Sequence, residues 1–225
     1  MLSAYVLHSR PYKESSALVD LFTEQGRMRA VLRGARSQKG SQIRPFSLLE
    51  IELKGRGELK NIAQHASMGP LLLLQGTTLF CGLYLNELLV RLLALEDPQP
   101  IIFQQYQSSL IALANNYPVE PLLRTFEWRL LEQLGYGFSL THDAQGATID
   151  ATLWYALVHD TGFVMQAQLK PGAFKGEDLL ALAQAQWQDK RTLIVAKRLM
   201  RQALAPLLGT KPLASRELFM GLKDI

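Results

Sequence analysis

The stretch LLEIELK, residues 48–54, decides the fold class of the N-terminal part of the chain. Positions 49, 51 and 53 carry Leu, Ile and Leu, and positions 50, 52 and 54 carry charged side chains. A period of two with one apolar face is typical of a half-buried antiparallel strand, because successive side chains of a strand point to opposite faces. The stretch therefore predicts a β-sheet that rests on a core.

The residues on both sides contain four further short segments that read as strands, at 4–10, 15–24, 27–34 and 58–66. Gln25-Gly26 supplies a tight turn between two of them, and Gly55-Arg56-Gly57 supplies another. Five short strands within about 65 residues suit a small barrel, so we predict an N-terminal OB-fold.

From Thr77 the apolar period changes to that of a helix. Cap and turn residues bound predicted helices at 77–97, 99–115, 119–134, 176–187 and 190–207, and a short last helix capped by Ser215. The segment 154–166 predicts a β-hairpin that turns at 160–162. We therefore predict an α+β protein of two domains, with an OB-fold barrel at 1–76 and a mainly helical domain with a small β-hairpin at 77–225.

Charge is distributed unevenly along the 225 residues. The first and last thirds carry 11 and 10 basic residues against 6 acidic residues each, whereas the middle third carries 3 against 8. Uneven basic charge favours a polyanionic partner, most often nucleic acid, and ordinary surface charge is the alternative.

Composition also restricts the compartment. No apolar run reaches the roughly 18 residues that cross a membrane, and the N-terminus lacks the pattern of a secretory signal. The single Cys81 excludes an internal disulfide framework and a multi-cysteine metal site. We expect a cytoplasmic protein in which Cys81 is part of the core.

The third strand and the loop after it concentrate positive charge, because residues 25–49 contain neither Asp nor Glu. Strand alternation places three arginines on one face, and the loop adds three more cations. The set is Arg27, Arg29, Arg33, Arg36, Lys39 and Arg44. Such a face can line a groove for a phosphate backbone, and a solvated face with a flexible loop is the alternative. The few aromatic residues that could stack on bases are Tyr5, Tyr12, Phe22 and Phe46.

Two helices carry further candidate residues. Five cations of the helix 190–207 fall within an arc of about 120°: Lys190, Arg191, Lys197, Arg198 and Arg201. The helix 119–134 places Arg124 and Arg129 in a leucine-rich neighbourhood, where an arginine beside an apolar groove can hold a carboxylate of an acidic peptide. The alternatives are an ordinary basic surface for the first helix and pairing with Glu120 or Glu127 for the second.

Signals of catalysis are poor. The sequence contains no G-x-x-x-x-G-K-[ST] phosphate loop and no G-x-G-x-x-G after a strand, and its four histidines are widely spaced. We expect a protein that is not an enzyme.

Several blocks resemble the RecO family of bacterial DNA recombination and repair proteins, in the family's order and across nearly the whole chain. The blocks are AYVLHSRPYKESSALVDLFTEQGR at 4–27, RGARS at 33–37, GLYLNELLVRLL at 82–93, LGYG at 134–137 and KPLASRELF at 211–219. The resemblance implies an OB-fold followed by a helical domain, which agrees with the change of period near residue 77.

The resemblance also implies partners. Members of the family bind single- and double-stranded DNA, anneal complementary strands, and bind the acidic C-terminal tail of the single-stranded DNA-binding protein SSB. With RecR they help to load RecA onto SSB-coated DNA, so the chain is expected to act in the cytoplasm at the nucleoid, without a membrane. None of these activities is catalytic.

Site residues follow from the resemblance and from the strand and helix faces. By position, the implied DNA-facing residues are Arg10, Arg33, Arg36 and Lys39. The strand, loop and helix arguments add Arg27, Arg29, Arg44, Lys197, Arg198 and Arg201. Arg124 lies in PLLRTFE at 121–127, which looks like the family's site for the SSB tail, and Arg129 completes that predicted set.

The chain departs from the family at one point. Many members carry a four-cysteine zinc site after the LGY segment, but residues 139–150 here read SLTHDAQGATID, without cysteine. No zinc and no other cofactor is therefore predicted.

Two functional hypotheses remain. The main one is a DNA-binding recombination mediator whose arginines neutralise phosphates and whose helical domain contacts SSB. The second is a protein-interaction adaptor for acidic tails with only incidental DNA binding, which the scarcity of aromatic residues favours slightly. A nuclease has no metal-ligand or nucleophile constellation behind it.

Overall fold

The N-terminal part of the chain is a closed β-barrel in the computed structural model, which describes residues 1–35, 43–70 and 72–221. Its strands are β1 (Leu2–Tyr12), β2 (Ser16–Thr23), β3 (Gly26–Leu32), β4 (Leu48–Lys54) and β5 (Leu59–Ser67). They close in the order β1-β2-β3-β5-β4, with β3 and β5 parallel and the other pairs antiparallel. This arrangement confirms the predicted OB-fold.

The barrel encloses an apolar core because its strands alternate as their sequences indicate. Leu49 and Ile51 of β4 are buried in it. Met28, Ala30 and Leu32 of β3 point to the same core, so the residues between them face away from it.

Part of the outer face of the barrel is covered by α1 (Gly76–Leu92) and α2 (Pro100–Ala114). Tyr5 of β1 and Phe22 of β2 lie on this face and pack against Phe103 and Tyr106 of α2, with ring centroids 5.2 to 6.0 Å apart. Burial raises the pKa of the Tyr106 hydroxyl well above its usual value. These four rings therefore form one aromatic contact between α2 and the barrel.

A buried polar link fixes α1 and α2 on the barrel. Leu7 lies where the register of β1 against β2 shifts, between Val6 and His8. The amide of Asn86 in α1 donates to the Leu7 carbonyl at 2.8 Å, and its oxygen accepts a hydrogen bond from the Tyr106 hydroxyl at 2.6 Å. Because a buried polar group without a partner costs about 1–3 kcal/mol, this link favours one placement of both helices.

The connection from α1 to α2 runs alongside β3. Leu95 forms a parallel bridge with Arg27, and the N–H of Glu96 donates to the Arg27 carbonyl at 2.9 Å. Gly26 has a φ of +104°, and a Cβ there would overlap the backbone of Asp97. Only glycine permits both the backbone conformation and this close approach.

The contacts divide the chain into two compact units. Unit 1 consists of residues 1–119 and the chain from residue 211 onward, and unit 2 of residues 120–210. Unit 2 contains nearly all of α3 (Val119–Gln133), together with α4 (Gly176–Ala183) and α5 (Lys190–Leu208). Its sheet has the order β7-β6-β8, with β6 (Trp154–Val158), β7 (Gly162–Gln166) and β8 (Phe174–Lys175). The β6–β7 pair confirms the predicted hairpin.

The last helix, α6 (Ala214–Gly221), packs on α1 within unit 1. Ser215 lies inside the first turn of this helix and does not cap it as predicted. The Glu87 carboxylate of α1 takes that role, accepting the N–H groups of Ala214 and Ser215 at 3.0 and 2.9 Å. Carboxylates stabilise helix N-termini because the first N–H groups lack partners within the helix.

Candidate functional site

A cleft of about 480 Å³ lies within unit 2, between α3, α5 and the C-terminal end of α4. Leu182, Leu199 and Met200 line its apolar part. The two predicted peptide-binding arginines, Arg124 and Arg129, line it from α3. The structure thus brings these two predicted residues to one apolar concavity of unit 2.

Arg124 is tied to the interior of unit 2. Its Nη1 lies 2.9 Å from Oε2 of Glu127, a carboxylate with no exposed surface, and only 11% of the Arg124 side chain is exposed. This is one of the two pairings that the sequence left open. The Arg124 guanidinium stabilises the folded unit, because a buried carboxylate without a cation beside it costs free energy.

Arg129 is the more accessible of the two arginines, with 56% of its side chain exposed. Its Nη1 donates to Oε2 of Glu132 at 2.9 Å, and the Trp128 indole N–H donates to Oε1 of the same carboxylate at 2.9 Å. The Trp128 ring packs edge-on against Phe138, with centroids 4.9 Å apart. Trp128, Arg129 and Glu132 therefore form a connected rim on the cleft.

The strand-face prediction is wrong for Arg27. This residue is 6% exposed; its Nη1 donates to Asp20 Oδ1 at 2.9 Å and its Nε donates to the Leu93 carbonyl at 3.1 Å. The cause is the segment after α1, which runs alongside β3 and covers this end of the strand. Arg27 is a buried structural residue of unit 1, and its placement removes it from the predicted DNA-facing set.

The other barrel arginines that the structure describes are exposed. Arg29 is 46% exposed and lies 3.4 Å from Asp20. Arg10 and Arg33 are exposed and have no ion-pair partner among the described residues; Arg44 is exposed as well. The predicted residues Arg36 and Lys39 lie outside the described part of the chain.

Most of the candidate stacking aromatics are unavailable. Tyr5, Phe22 and Phe46 are buried. Tyr12 is half-buried, and the Lys13 ammonium lies 5.4 Å from the centroid of its ring. The exposed side of the barrel therefore offers cations to a partner and, of these four rings, only one that is partly accessible.

The basic face of α5 is only partly free. Arg198 is exposed, and its guanidinium lies 4.2 Å from the centroid of the Phe174 ring and donates to the Ala173 carbonyl at 2.9 Å. It therefore also supports the packing of unit 2, and its contact with DNA stays a prediction. Arg191 pairs with Glu177 and Asp178. Lys197 and Arg201 are exposed, and no described residue forms an ion pair with them.

The described ranges hold no group of three or more metal-ligating side chains, and no described helix is long and apolar enough to cross a membrane. The loop at 139–152 is held by its own polar side chains. Asp143 Oδ1 accepts the N–H groups of Gln145 and Ala147 at 2.9 Å, and Asp150 Oδ1 accepts the N–H and hydroxyl of Thr152 at 2.7 and 2.6 Å. The hydrogen bonds from Thr152 lower the pKa of Asp150.

Sequence reasoning missed Trp128 and Glu132. Their separation of four residues on one helix, with Arg129 three residues before Glu132, is the spacing at which side chains meet on a helical face. That spacing could have indicated the cluster, but the cleft beside it depends on α4 and α5, which are distant in sequence.

Comparison with known proteins matches both parts of the chain. The family models described as "Recombination protein O N terminal" and "Recombination protein O C terminal" match residues 1–70 and 73–217. A "DNA repair protein RecO" of Stutzerimonas stutzeri (strain A1501) is 60% identical over 221 residues, which cover 98% of this chain and 94% of the relative. One of Pseudomonas aeruginosa (strain LESB58) is 59% identical over 222 residues, covering 99% and 95%. One of Pseudomonas putida (strain W619) is 60% identical over 216 residues, covering 96% and 95%.

Proposed function

Since the chain belongs to the RecO family, it serves DNA recombination and repair, and we propose that it does so as a non-catalytic mediator on SSB-coated DNA. In this proposal, unit 1 contacts DNA and unit 2 holds the acidic C-terminal tail of SSB. The observation that carries the proposal is the cleft of unit 2, where an exposed arginine borders an apolar floor.

The cleft suits a short acidic peptide with a large apolar residue. Leu182, Leu199 and Met200 supply an apolar floor, and Arg129 supplies a cation at the rim. An apolar anchor side chain in a pocket beside a charge-assisted hydrogen bond to a carboxylate is a common way of binding peptide tails. The buried Arg124–Glu127 pair shapes the cleft and adds little free positive charge.

The DNA contact is electrostatic. The exposed Arg10, Arg29 and Arg33 of the barrel neutralise phosphates, and Arg36, Lys39 and Arg44 belong to the proposed set from the sequence. Lys197 and Arg201 of α5 form a second basic surface. Because each neutralised phosphate releases counterions, affinity for DNA falls steeply with salt, by about ten- to hundredfold between about 50 and 200 mM for two to three contacts.

Neutralisation of phosphates also explains annealing. Two complementary strands repel one another through their backbones, and bound arginines lower this repulsion so that the bases can pair. The tail contact brings the chain to strands that SSB already covers. With RecR, the chain then helps RecA to replace SSB on these strands, in the cytoplasm at the nucleoid.

The test is the annealing of two complementary oligonucleotides that have been coated with cognate SSB, followed by fluorescence. Fast annealing with complete SSB, and none with SSB that lacks its tail, is the expected result. Arg129→Ala should abolish annealing of the coated strands and spare that of naked strands. Arg10→Ala combined with Arg33→Ala should impair both.

A matched control is Lys170→Ala, which removes one exposed positive charge of unit 2 outside the cleft and should leave both reactions unchanged. Annealing that proceeds equally well with tail-less SSB would contradict the tail contact. Annealing of naked strands that survives the double barrel variant would contradict the proposed DNA surface.

A second candidate function is an adaptor that binds acidic protein tails and contacts DNA only incidentally. The burial of Tyr5, Phe22 and Phe46 favours it, because sequence-independent binding of single strands usually includes aromatic stacking. The adaptor predicts weaker affinity for DNA than for the tail peptide at physiological salt, and no annealing by the chain alone.

We also propose that the chain folds without zinc. The loop at 139–152 satisfies its backbone with Asp143 and Asp150, in the region where many relatives carry cysteines. Elemental analysis of the purified protein should give less than about 0.1 zinc per chain, because a structural site would bind the metal tightly. Unfolding that shifts on addition of a chelator would contradict this proposal.

A further inference from the structure

The Glu132 carboxylate pairs with the Arg129 guanidinium, which is the cation that an acidic peptide would bind. We propose that Glu132 is an internal competitor of the ligand, so that a peptide carboxylate binds the cleft by replacing it on Arg129. The proposal rests on the proposed function, since it assumes that the cleft of unit 2 takes an acidic peptide ending in a carboxylate.

The Glu132 carboxylate is hydrogen-bonded through both of its oxygens. Its Oε2 accepts from Arg129 Nη1 at 2.9 Å and its Oε1 accepts from the Trp128 indole at 2.9 Å. Both oxygens therefore have a partner on the rim of the cleft. A ligand carboxylate would seek the same two donors, because a guanidinium and an N–H group are the usual partners of a bound carboxylate.

The Glu132 side chain is held in place by its neighbours. A Cβ on Gly137 would lie 3.3 Å from Cγ of Glu132, so the backbone after α3 packs closely against the stem of this side chain. Trp128 is fixed in turn by its contact with Phe138. The competitor is thus held on the rim of the cleft rather than free in solvent.

The cleft has few charged residues, and their charges nearly cancel. Among the described residues that line it, the charged ones are Arg124, Arg129 and Glu132. Arg124 faces the buried carboxylate of Glu127 at 2.9 Å. The cation open to a ligand at the rim is Arg129, and Glu132 neutralises it.

Two consequences follow for an acidic ligand. Glu132 repels the ligand's negative charge and must give up Arg129, so it lowers affinity and speeds release. When a ligand leaves the cleft, Glu132 again accepts hydrogen bonds from Arg129 and Trp128. The N–H groups of these two residues therefore keep a partner after the ligand is released. A mediator that must leave SSB after each encounter benefits from such reversible binding.

The test is Glu132→Gln, which removes the charge and keeps an oxygen that can accept from Trp128. Binding is measured by fluorescence anisotropy with a nine-residue acidic peptide that ends in Phe with a free carboxylate, and with the same peptide amidated at its C-terminus. We expect the variant to bind the free-acid peptide about three- to tenfold more tightly and to dissociate more slowly, because one like charge at short range is removed. The gain should be smaller for the amidated peptide.

The matched control is Glu120→Gln, the same change on the same helix, about 18 Å along its axis and outside the cleft. This control should bind both peptides as the unchanged protein does. Glu132→Ala provides a second variant that also removes the charge, and urea unfolding of each variant shows that it is folded.

The outcomes distinguish failure of the proposed function from failure of the competitor role of Glu132. If the unchanged protein binds neither peptide, the proposed function of the cleft fails. If it binds them and Glu132→Gln binds equally or more weakly, Glu132 only supports the rim and the competitor is overturned. An equal gain for the free-acid and amidated peptides also overturns replacement at Arg129, since it shows a general effect of charge. If Glu132→Gln tightens binding of single-stranded DNA and of neither peptide, the cleft binds nucleic acid and the competitor of an acidic peptide is overturned.

Discussion

Arg124 and Glu127 form an ion pair with 2.9 Å between Nη1 and Oε2, and the Glu127 carboxylate has no exposed surface. Removing the guanidinium leaves a buried negative charge, so Arg124→Ala should lower the free energy of unfolding by about 3–5 kcal/mol. Urea unfolding followed by tryptophan fluorescence measures the loss. This stability cost means that a loss of peptide binding by Arg124→Ala alone does not show a direct contact.

The control for this prediction is Arg129→Ala, which breaks the exposed pair with Glu132 and should cost less than about 1 kcal/mol. Arg124→Met combined with Glu127→Gln removes both charges and should recover more than half of the loss. Equal stability of Arg124→Ala and Arg129→Ala would show that the buried pair does not matter.

The affinity for DNA, and its dependence on salt, should change with the number of exposed barrel arginines. Arg10→Ala combined with Arg33→Ala should weaken binding of any sequence and reduce the slope of log affinity against log salt by about 2, since each phosphate contact contributes about 1. Anisotropy titrations at several salt concentrations measure the slope. The side chain of Arg27 is buried, so Arg27→Ala should instead lower the free energy of unfolding and leave the salt slope of DNA binding unchanged.

Lys170→Ala combined with Lys211→Ala removes the same total charge from positions outside the barrel and serves as the control. A control that reduces the slope as much as the double barrel variant would show that net charge, not the barrel face, determines DNA affinity.

Asn86 should be important for the stability of unit 1. Asn86→Leu leaves the Leu7 carbonyl and the Tyr106 hydroxyl without this partner inside the protein, and should cost about 2–4 kcal/mol. Tyr106→Phe removes one of the two bonds and should cost less. A double-mutant cycle measured by urea unfolding should give a coupling of about 0.5–3 kcal/mol. Additive effects would show that the two side chains act independently.

Asp189 should make the stability of α5 depend on pH. It is the N-cap of this helix and accepts the N–H and hydroxyl of Thr192 at 2.8 and 2.9 Å. The hydrogen bond from the Thr192 backbone, with that from its side chain, lowers the pKa of Asp189. A carboxyl whose pKa is lower in the folded state stabilises the protein above its unfolded pKa, about 3.9, and loses this effect as the pH falls through the folded pKa.

Asp189→Ala should therefore lower the melting temperature at pH 7, and the difference from the unchanged protein should shrink as the pH falls below about 4. Asp189→Ser keeps a capping oxygen without a titratable group, so its difference from Asp189→Ala should not depend on pH. A difference between the unchanged protein and Asp189→Ala that stays constant down to pH 2 would show that the ionised carboxylate is not the cap.

The sequence predicted those features that depend on neighbouring residues. The alternation around Leu49 and Ile51 predicts a strand with one buried face, and both residues lie in the barrel core. The turn at 160–162 predicts the β6–β7 hairpin. Local periodicity determines these elements because the period of burial follows directly from strand geometry.

Contacts between distant segments were beyond local reasoning. Arg27 looks like any exposed strand arginine until Leu93, 66 residues later in the chain, accepts its hydrogen bond. The same holds for Asn86, whose partner Leu7 is 79 residues away. In unit 2, the sequence left open whether Arg124 pairs with a glutamate or binds a peptide. The distance of 2.9 Å between Arg124 Nη1 and Oε2 of the fully buried Glu127 depends on the packing around α3, which local sequence does not give.

The return of the chain to unit 1 affects the order in which the protein can form during translation. Unit 1 is finished by residues from 211 onward, where Glu87 caps α6 and Leu213 is buried. Residues 120–210 are contiguous and emerge from the ribosome before the residues that follow them. Unit 2 can therefore fold on the nascent chain before the N-terminal unit is complete, the reverse of the usual order in which domains fold. Emergence of the segment that forms α6 then becomes the event that completes unit 1.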